Sequence, residues 1–219
     1  MSLAIVYTRA ALGIEAPLIT VEVHLSNGLP GLTMVGLPET TVKEARDRVR
    51  SALINSGYAF PAKKITINLA PADLPKEGGR YDLPIALALL VASEQLNTTR
   101  LNQYEFVGEL ALTGGLRGVP GAIPSAMEAI KAGRRIVVSS DNAAEVGLIG
   151  GSDCLVADHL QEVCAFLAGQ TSLSPPLAEA PTVDERGEDL RDVIGQQQGK
   201  RALEIVAAGG HNLLLIGPP

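Results

Sequence analysis

The 219 residues are 46% apolar and 19% charged, which excludes a disordered chain and is enough to bury a core for one large domain, or for one of about 150 residues plus part of another. Aromatic residues make up only 3% and Trp is absent, so the core must be built from Leu, Ile, Val and Ala; no uncharged apolar run approaches the ~18 residues of a membrane-spanning helix. The net charge of −6 excludes a surface suited throughout to coating nucleic acid.

The opening MSLAIVYTRAALG has no basic region ahead of an apolar one and no small-residue cleavage pattern, so no export signal is expected and the chain is placed in the cytoplasm, away from membranes. Its two cysteines, Cys154 and Cys164, agree with a reducing compartment. Apolar runs with β-branched residues predict strands at 3–8, 18–25, 32–36 and 64–69. Between the last two, TVKEARDRVRSALINSG predicts a helix. Thr41 and Glu44 form its capping box, Val42, Ala45, Val49, Ala52 and Leu53 share one face, and Gly57 closes it. From Lys43 to Arg80 eight basic residues stand against four acidic ones, whereas residues 139–192 hold 2 Lys/Arg against 11 Asp/Glu, so a phosphate contact belongs in the former. Two readings suit Lys43, Arg46 and Arg50 on the helix: a contact with DNA phosphates or an adjacent subunit, or an ordinary solvated face. No aromatic stacking platform accompanies them.

Further along, LPIALALLVASEQL is apolar nearly all round and predicts a central helix. A strand at 105–112, a TGG turn at 113–115, a helix at 121–132, the strand RIVVS, a short helix after Asp141, the strand CLVA and the helix HLQEVCAFLAG complete the domain. Hairpin-like strands at the start and irregular interleaving afterwards predict an α+β or mixed α/β fold rather than a doubly wound sheet. From 170 to 187 apolar periodicity gives way to Pro, Ser, Thr and acids, a linker; beyond it come a loop, a helix at 196–208, the stop Gly209-Gly210 and a buried strand at 213–216.

Two stretches bear on chemistry. Gly217, after an apolar strand, stands at the first position of G-x-x-x-x-G-K-[ST], the loop whose backbone N–H groups cradle phosphates; the second Gly and the Lys of that pattern are not reached by residue 219. The loop before the central helix concentrates Lys76, Glu77, Arg80, Tyr81 and Asp82 near a helix N-terminus. It reads either as a candidate functional loop or as a helix entry held by Asp82 and Pro84 with its charges solvated. Cys154, His159 and Cys164 have C-x4-H-x4-C spacing but no fourth ligand and no C-x-x-C pair, so no metal is expected, and His24 needs no role.

GLTMVGLPE, INLAPADLPKEGGRYDLPIALALL, VGELALTGGLRGVPGA and GGHNLLLIGPP resemble the ComM/YifB group of Mg-chelatase-like AAA+ proteins of bacteria, over essentially the whole chain. The resemblance implies a Lon-protease-like domain of the ribosomal protein S5 domain 2 type over 1–169, a linker over 170–187, and from 188 the start of an α/β AAA+ P-loop module within a homo-hexameric motor linked to branch migration of DNA. It implies ATP and Mg in the longer parent, with Val193, Ile194 and Gly195 lying against the adenine and Gly217, Pro218 and Pro219 beginning the phosphate loop. Lacking the phosphate-binding Lys, the Mg-coordinating Ser/Thr and a Walker B acid, the chain itself is expected to bind no cofactor and hydrolyse no ATP. Likeness to Lon raises a Ser-Lys protease, yet Asp82 stands where the Ser would be and Ile123 or Pro124 where the Lys would be, with Ser125 close by but unpaired, so no catalytic residue is expected. The alternatives are a Mg-chelatase-type motor subunit and a non-enzymatic S5-like nucleic-acid-binding module.

Overall fold

Alternation in LITVEVHLS sends Ile19, Val21, Val23 and Leu25 to one face of a strand and leaves Thr20, Glu22 and His24 on the other. The computed structural model describes residues 2–39, 42, 44–149, 151, 153–176 and 189–217. In it, four N-terminal strands form: β1 (Ser2–Arg9), β2 (Leu18–Ser26), β3 (Gly31–Val35) and β4 (Lys64–Ala70). β2 pairs antiparallel with β1 and β4, placing Val21 opposite both Val6 and Leu69, and β3 runs parallel to β4 at the edge. Three more strands, β5 (Tyr104–Phe106), β8 (Arg135–Ser139) and β9 (Cys154–Ala157), extend the sheet from β1 in parallel, giving the order β3-β4-β2-β1-β5-β8-β9. Between β5 and β8 lies a separate hairpin, β6 (Glu109–Leu110) with β7 (Leu116–Arg117). The mixed sheet with helices packed on it is an α+β arrangement.

Each parallel neighbour needs a crossover, and helices supply them: α1 (Ala45–Asn55) joins β3 to β4, while α3 (Ala122–Lys131) and α4 (Ala143–Gly147) carry the chain to β8 and β9. The central helix α2 (Asp82–Ala92) is buried at every residue but Val91, and with α1 it covers one face of the antiparallel half. Burying each Leu or Ile there contributes about 1.5–3 kcal/mol. The opposite face of that half keeps partly exposed polar residues, whereas β8 is covered on both sides: Val137 enters the main core, and Ile136 and Val138 join a second cluster with Val107, Ala126 and Val146. The last helix to pack on this core is α5 (Leu160–Leu167).

The structure departs from the sequence reading in four places. The single strand expected at 105–112 breaks at Gly108, whose N–H donates to Arg80 O at 3.2 Å and whose carbonyl accepts from Leu83 N–H at 3.1 Å; the chain leaves the sheet there to seat the start of α2. At α1 (Ala45–Asn55) the N-cap is Glu44 rather than Thr41, with no side-chain cap bond, and its carboxylate lies 3.9 Å from Arg48; Thr41, and with it the expected capping box, lies outside the described residues. Past α5 the segment read as linker from 170 begins in ordered contact, with Val156 N–H donating to Ser174 O at 3.1 Å and Leu173 packed on the core; most of the remainder, 177–188, is outside the described residues. The fourth departure, in the strand expected at 213–216, belongs to the second unit.

The chain divides into two compact units, 1–179 and 180–219. In the second, Asp189 caps a 3₁₀ turn (Leu190–Asp192), Gly195 and Gln196 take positive φ of 76° and 52°, and α6 (Gln197–Gly209) follows. Gly210 ends the helix at φ 62°, where His211 N–H donates to Val206 O at 3.0 Å. Leu213 to Ile216 then run on without forming a strand, Leu214 80% and Ile216 90% exposed, because residues 189–217 contain no second strand to pair with them.

One turn is closed by sterics. Gly36, at φ 98°, lies so near β4 that a Cβ would stand 2.2 Å from Leu69 O. Gly36→Ala is expected to cost about 2–4 kcal/mol in urea-induced unfolding; a loss under 1 kcal/mol would show that the β3–α1 turn can move away.

Candidate functional site

The alternative to a functional loop, a helix entry held by Asp82 and Pro84 with its charges solvated, is corrected in its second half: Asp82 does begin α2, but Lys76, Arg80, Tyr81 and Asp82 are all buried, and of the five only Glu77 is exposed. For the two cations, Lys76 and Arg80, neighbouring main-chain carbonyls accept the hydrogens. Lys76 Nζ donates to Leu74 O at 2.9 Å and to Pro71 O, and burial pushes its ammonium below the usual pKa. Arg80 donates to Arg9 O at 3.2 Å and to Pro120 O, and burial likewise lowers its pKa. Tyr81 keeps its ring in the core, and burial lifts its phenol to about 12.

At Asp82, the first residue of α2, Arg48 reaches over from α1 with a two-pronged contact, Nε to Oδ2 at 2.7 Å and Nη2 to Oδ1 at 3.0 Å, while Leu110 N–H of the hairpin donates to Oδ2 at 3.3 Å. Burial dominates over this support and raises the Asp82 pKa to about 6; the bond from Asp82 in turn raises Arg48. One carboxylate thus ties α1, α2 and the β6–β7 hairpin together. Its chemistry is that of a buried proton acceptor near neutrality, with both oxygens already engaged.

A second buried charge centre lies between β1 and α3. Arg9 holds Glu105 through Nε at 2.6 Å and Nη2 at 2.7 Å, and Arg134 Nε adds a bond at 2.9 Å. Arg9 also donates to Ala16 O and Glu128 O, at 3.1 and 3.0 Å. The sequence reading missed this cluster. Its one visible signal is a carboxylate inside the apolar run YEFV, which needs a partner if that run is buried.

The remaining candidates are dispersed. Arg46 and Arg50 are exposed on α1, Arg50 lying 5.4 Å from the centre of the Phe60 ring; Lys43 is outside the described residues. Val193 and Ile194 are 41% and 97% exposed ahead of Gly195, and Gly217 is exposed, with Pro218 and Pro219 outside the described residues. Ser125 is buried and donates to Gly121 O at 2.8 Å, a bond within the first turn of α3. Cys154 and Cys164 are buried thiols, Cys164 pushed up to about 11 by desolvation. His159 is the N-cap of α5: its Nδ1 accepts from Gln161 N–H at 3.1 Å and its Nε2 lies 3.1 Å from Thr113 O, pinning the TGG turn. A Cβ on Gly114 of that turn would stand 2.8 Å from the His159 ring. Among the described residues no three His, Cys, Asp or Glu side chains are grouped to hold a metal ion, and no helix is long and apolar enough to cross a membrane.

Against known proteins, the family model described as subunit ChlI of Mg-chelatase matches residues 21–142, and a second one, magnesium chelatase, subunit ChlI, matches residues 189–219. The chain is 76% identical over 219 residues to YifB of Salmonella typhimurium and 74% identical to YifB of Escherichia coli. It is 57% identical over 224 aligned positions to the competence protein ComM of Haemophilus influenzae. All of the chain is covered in each case, but it spans only 43% of the length of the two YifB proteins and 44% of ComM.

Proposed function

Because the chain belongs to the ComM/YifB family of Mg-chelatase-like proteins, we propose that it is the N-terminal portion of an AAA+ ATPase, a homo-hexameric, cytoplasmic motor that moves branched or single-stranded DNA. Residues 1–169 are its Lon-like, S5 domain 2-like scaffold, 170–187 the connection, and 188–219 the opening of the ATPase module. The observation that carries the reading is the second unit, where Val193–Gly195, α6 and Gly217 follow one another in one stretch that the chelatase family model matches on its own. The strongly exposed Ile194 beside the positive-φ Gly195 suits an adenine face, and Gly217 suits the first residue of a phosphate loop. ATP with Mg would supply phosphoryl-transfer chemistry there; Val193 and Ile194 would hold the base, and the backbone N–H of Gly217 would face phosphate. The DNA assignment is what the resemblance to the ComM/YifB group implies, and the name of the Haemophilus influenzae relative, a competence protein, accords with it. The family model's own description favours a second reading, the motor subunit of a magnesium chelatase.

One experiment separates the two. The longer protein containing these 219 residues is expected to hydrolyse ATP several-fold faster with branched or single-stranded DNA than without it. No response to any DNA structure, together with stimulation by a porphyrin-bearing chelatase partner, would move the assignment to the second reading.

A further inference from the structure

The edge strand β3 pairs with β4 alone and leaves its other side unpaired among the described residues. Gly31 N–H donates to Lys63 O at 3.3 Å, and in a parallel ladder alternate residues of one strand bond to the same neighbour. Gly31, Thr33 and Val35 therefore face β4, and the N–H and C=O groups of Leu32 and Met34 face outward. Open edges of this kind are commonly blunted by Pro, bulges or lysines along the strand, and GLTMV has none of these.

Cations border this edge on the α1 side. Arg46 shares a recess of about 350 Å³ with Leu32, Thr33 and Met34, and it borders a second, of about 180 Å³, with Arg50, Phe60 and Lys63. Among the described residues Arg46, Arg50 and Lys63 make no ion pair, and no carboxylate lines either recess, Asp47 of α1 included. On the other face of the strand the exposed residues are uncharged, Thr33 and Val35, the latter 43% exposed, and the strand is flanked in sequence by the exposed Leu29 and Leu37.

The geometry points to β3 as the docking edge for an extended peptide strand of a protein partner whose side chains alternate acidic and apolar, the carboxylates meeting Arg46 and Arg50 and the apolar residues lying along Val35. Two features favour peptide over nucleic acid. The outward carbonyls of Leu32 and Met34 accept from N–H donors, which a phosphate backbone does not offer, and successive side chains of an added strand fall on opposite faces, matching the basic side and the uncharged side that carries Thr33 and Val35. The inference is independent of whether the longer protein moves DNA.

The test uses the whole chain and a fluorescein-labelled eight-residue peptide of alternating valine and glutamate, followed by anisotropy. Saturable binding is expected, weakened at least about tenfold in the R46E/R50E double variant as charge complementarity is reversed. Methylating alternate backbone amides of the peptide in one register should abolish binding to the unaltered chain, while methylation in the other register leaves it intact; this arm does not depend on any variant folding. Absence of binding would overturn the proposal, as would equal binding by both methylated peptides, displacement by a single-stranded oligonucleotide at equal concentration, or self-association of the chain that the peptide does not relieve.

Discussion

Glu105→Ala is expected to lower the free energy of unfolding by about 3–5 kcal/mol, because the variant strands a buried cation rather than simply losing an ion pair. Glu105 is fully buried and Arg9 only 5% exposed, so water cannot replace the carboxylate that neutralises the guanidinium. Arg9 would keep its bonds to Ala16 O and Glu128 O, but carbonyls do not balance its charge. Arg134→Ala provides the contrast: Arg134 is 20% exposed at its side chain and its removal leaves the Arg9–Glu105 pair whole, so a cost of about 1.5–3 kcal/mol is expected from the lost charged hydrogen bond. Urea unfolding monitored by far-UV circular dichroism measures both. A stability for Glu105→Ala within 1 kcal/mol of the parent would mean that solvent reaches Arg9. Against a total stability of about 5–15 kcal/mol for a domain, the expected loss leaves the fold marginal.

The second large effect is pH-dependent. Burial raises Asp82 from its ordinary 3.8 to about 6 even with Arg48 bound. Between those values the folded chain holds a proton that the unfolded chain has released. The contribution of this group is therefore full below pH 3.8 and declines as pH climbs to about 6, by about 3 kcal/mol over the window. Asp82→Asn cannot titrate, so the stability difference between parent and variant should shift in the variant's favour by about that amount from pH 4 to pH 7. Arg48→Met removes the cation and leaves the carboxylate buried alone. It should cost about 3–5 kcal/mol at pH 8 and considerably less at pH 5, where Asp82 takes up a proton. Parallel stability–pH curves for parent and Asp82→Asn would show that Asp82 is already ionised in the folded chain throughout.

Both effects come from residues that the linear reading treated unequally. Asp82 stood out because of the dense charge run KEGGRYD before an apolar helix, and its burial in the structure turns that run from a candidate surface into an anchor. Arg48 was passed over in favour of its helix neighbours Arg46 and Arg50, since nothing in ARDRVR tells which arginine points inward. The 3.6-residue repeat sets Val49 and Ala52 inside, but the reach of Arg48 to Asp82, 34 residues away, depends on how α1 crosses α2. Glu105 and Arg9 are 96 residues apart and meet only because β1 and β5 are parallel neighbours.

The sequence by itself determined what local physics controls: the alternation of β2 and β4, the one-faced helix α1, the all-round apolar α2, and the α+β class that follows from their order. Strand order, the break at Gly108 and the exposure of Leu213 to Ile216 were decided by tertiary structure alone. A strand is stable only when neighbours take up its main-chain hydrogen bonds, and an apolar run cannot announce whether those neighbours exist. The same reason places the open edge beside Arg46: the residues of β3 are legible in GLTMV, but its position at the end of the sheet is a property of seven strands together.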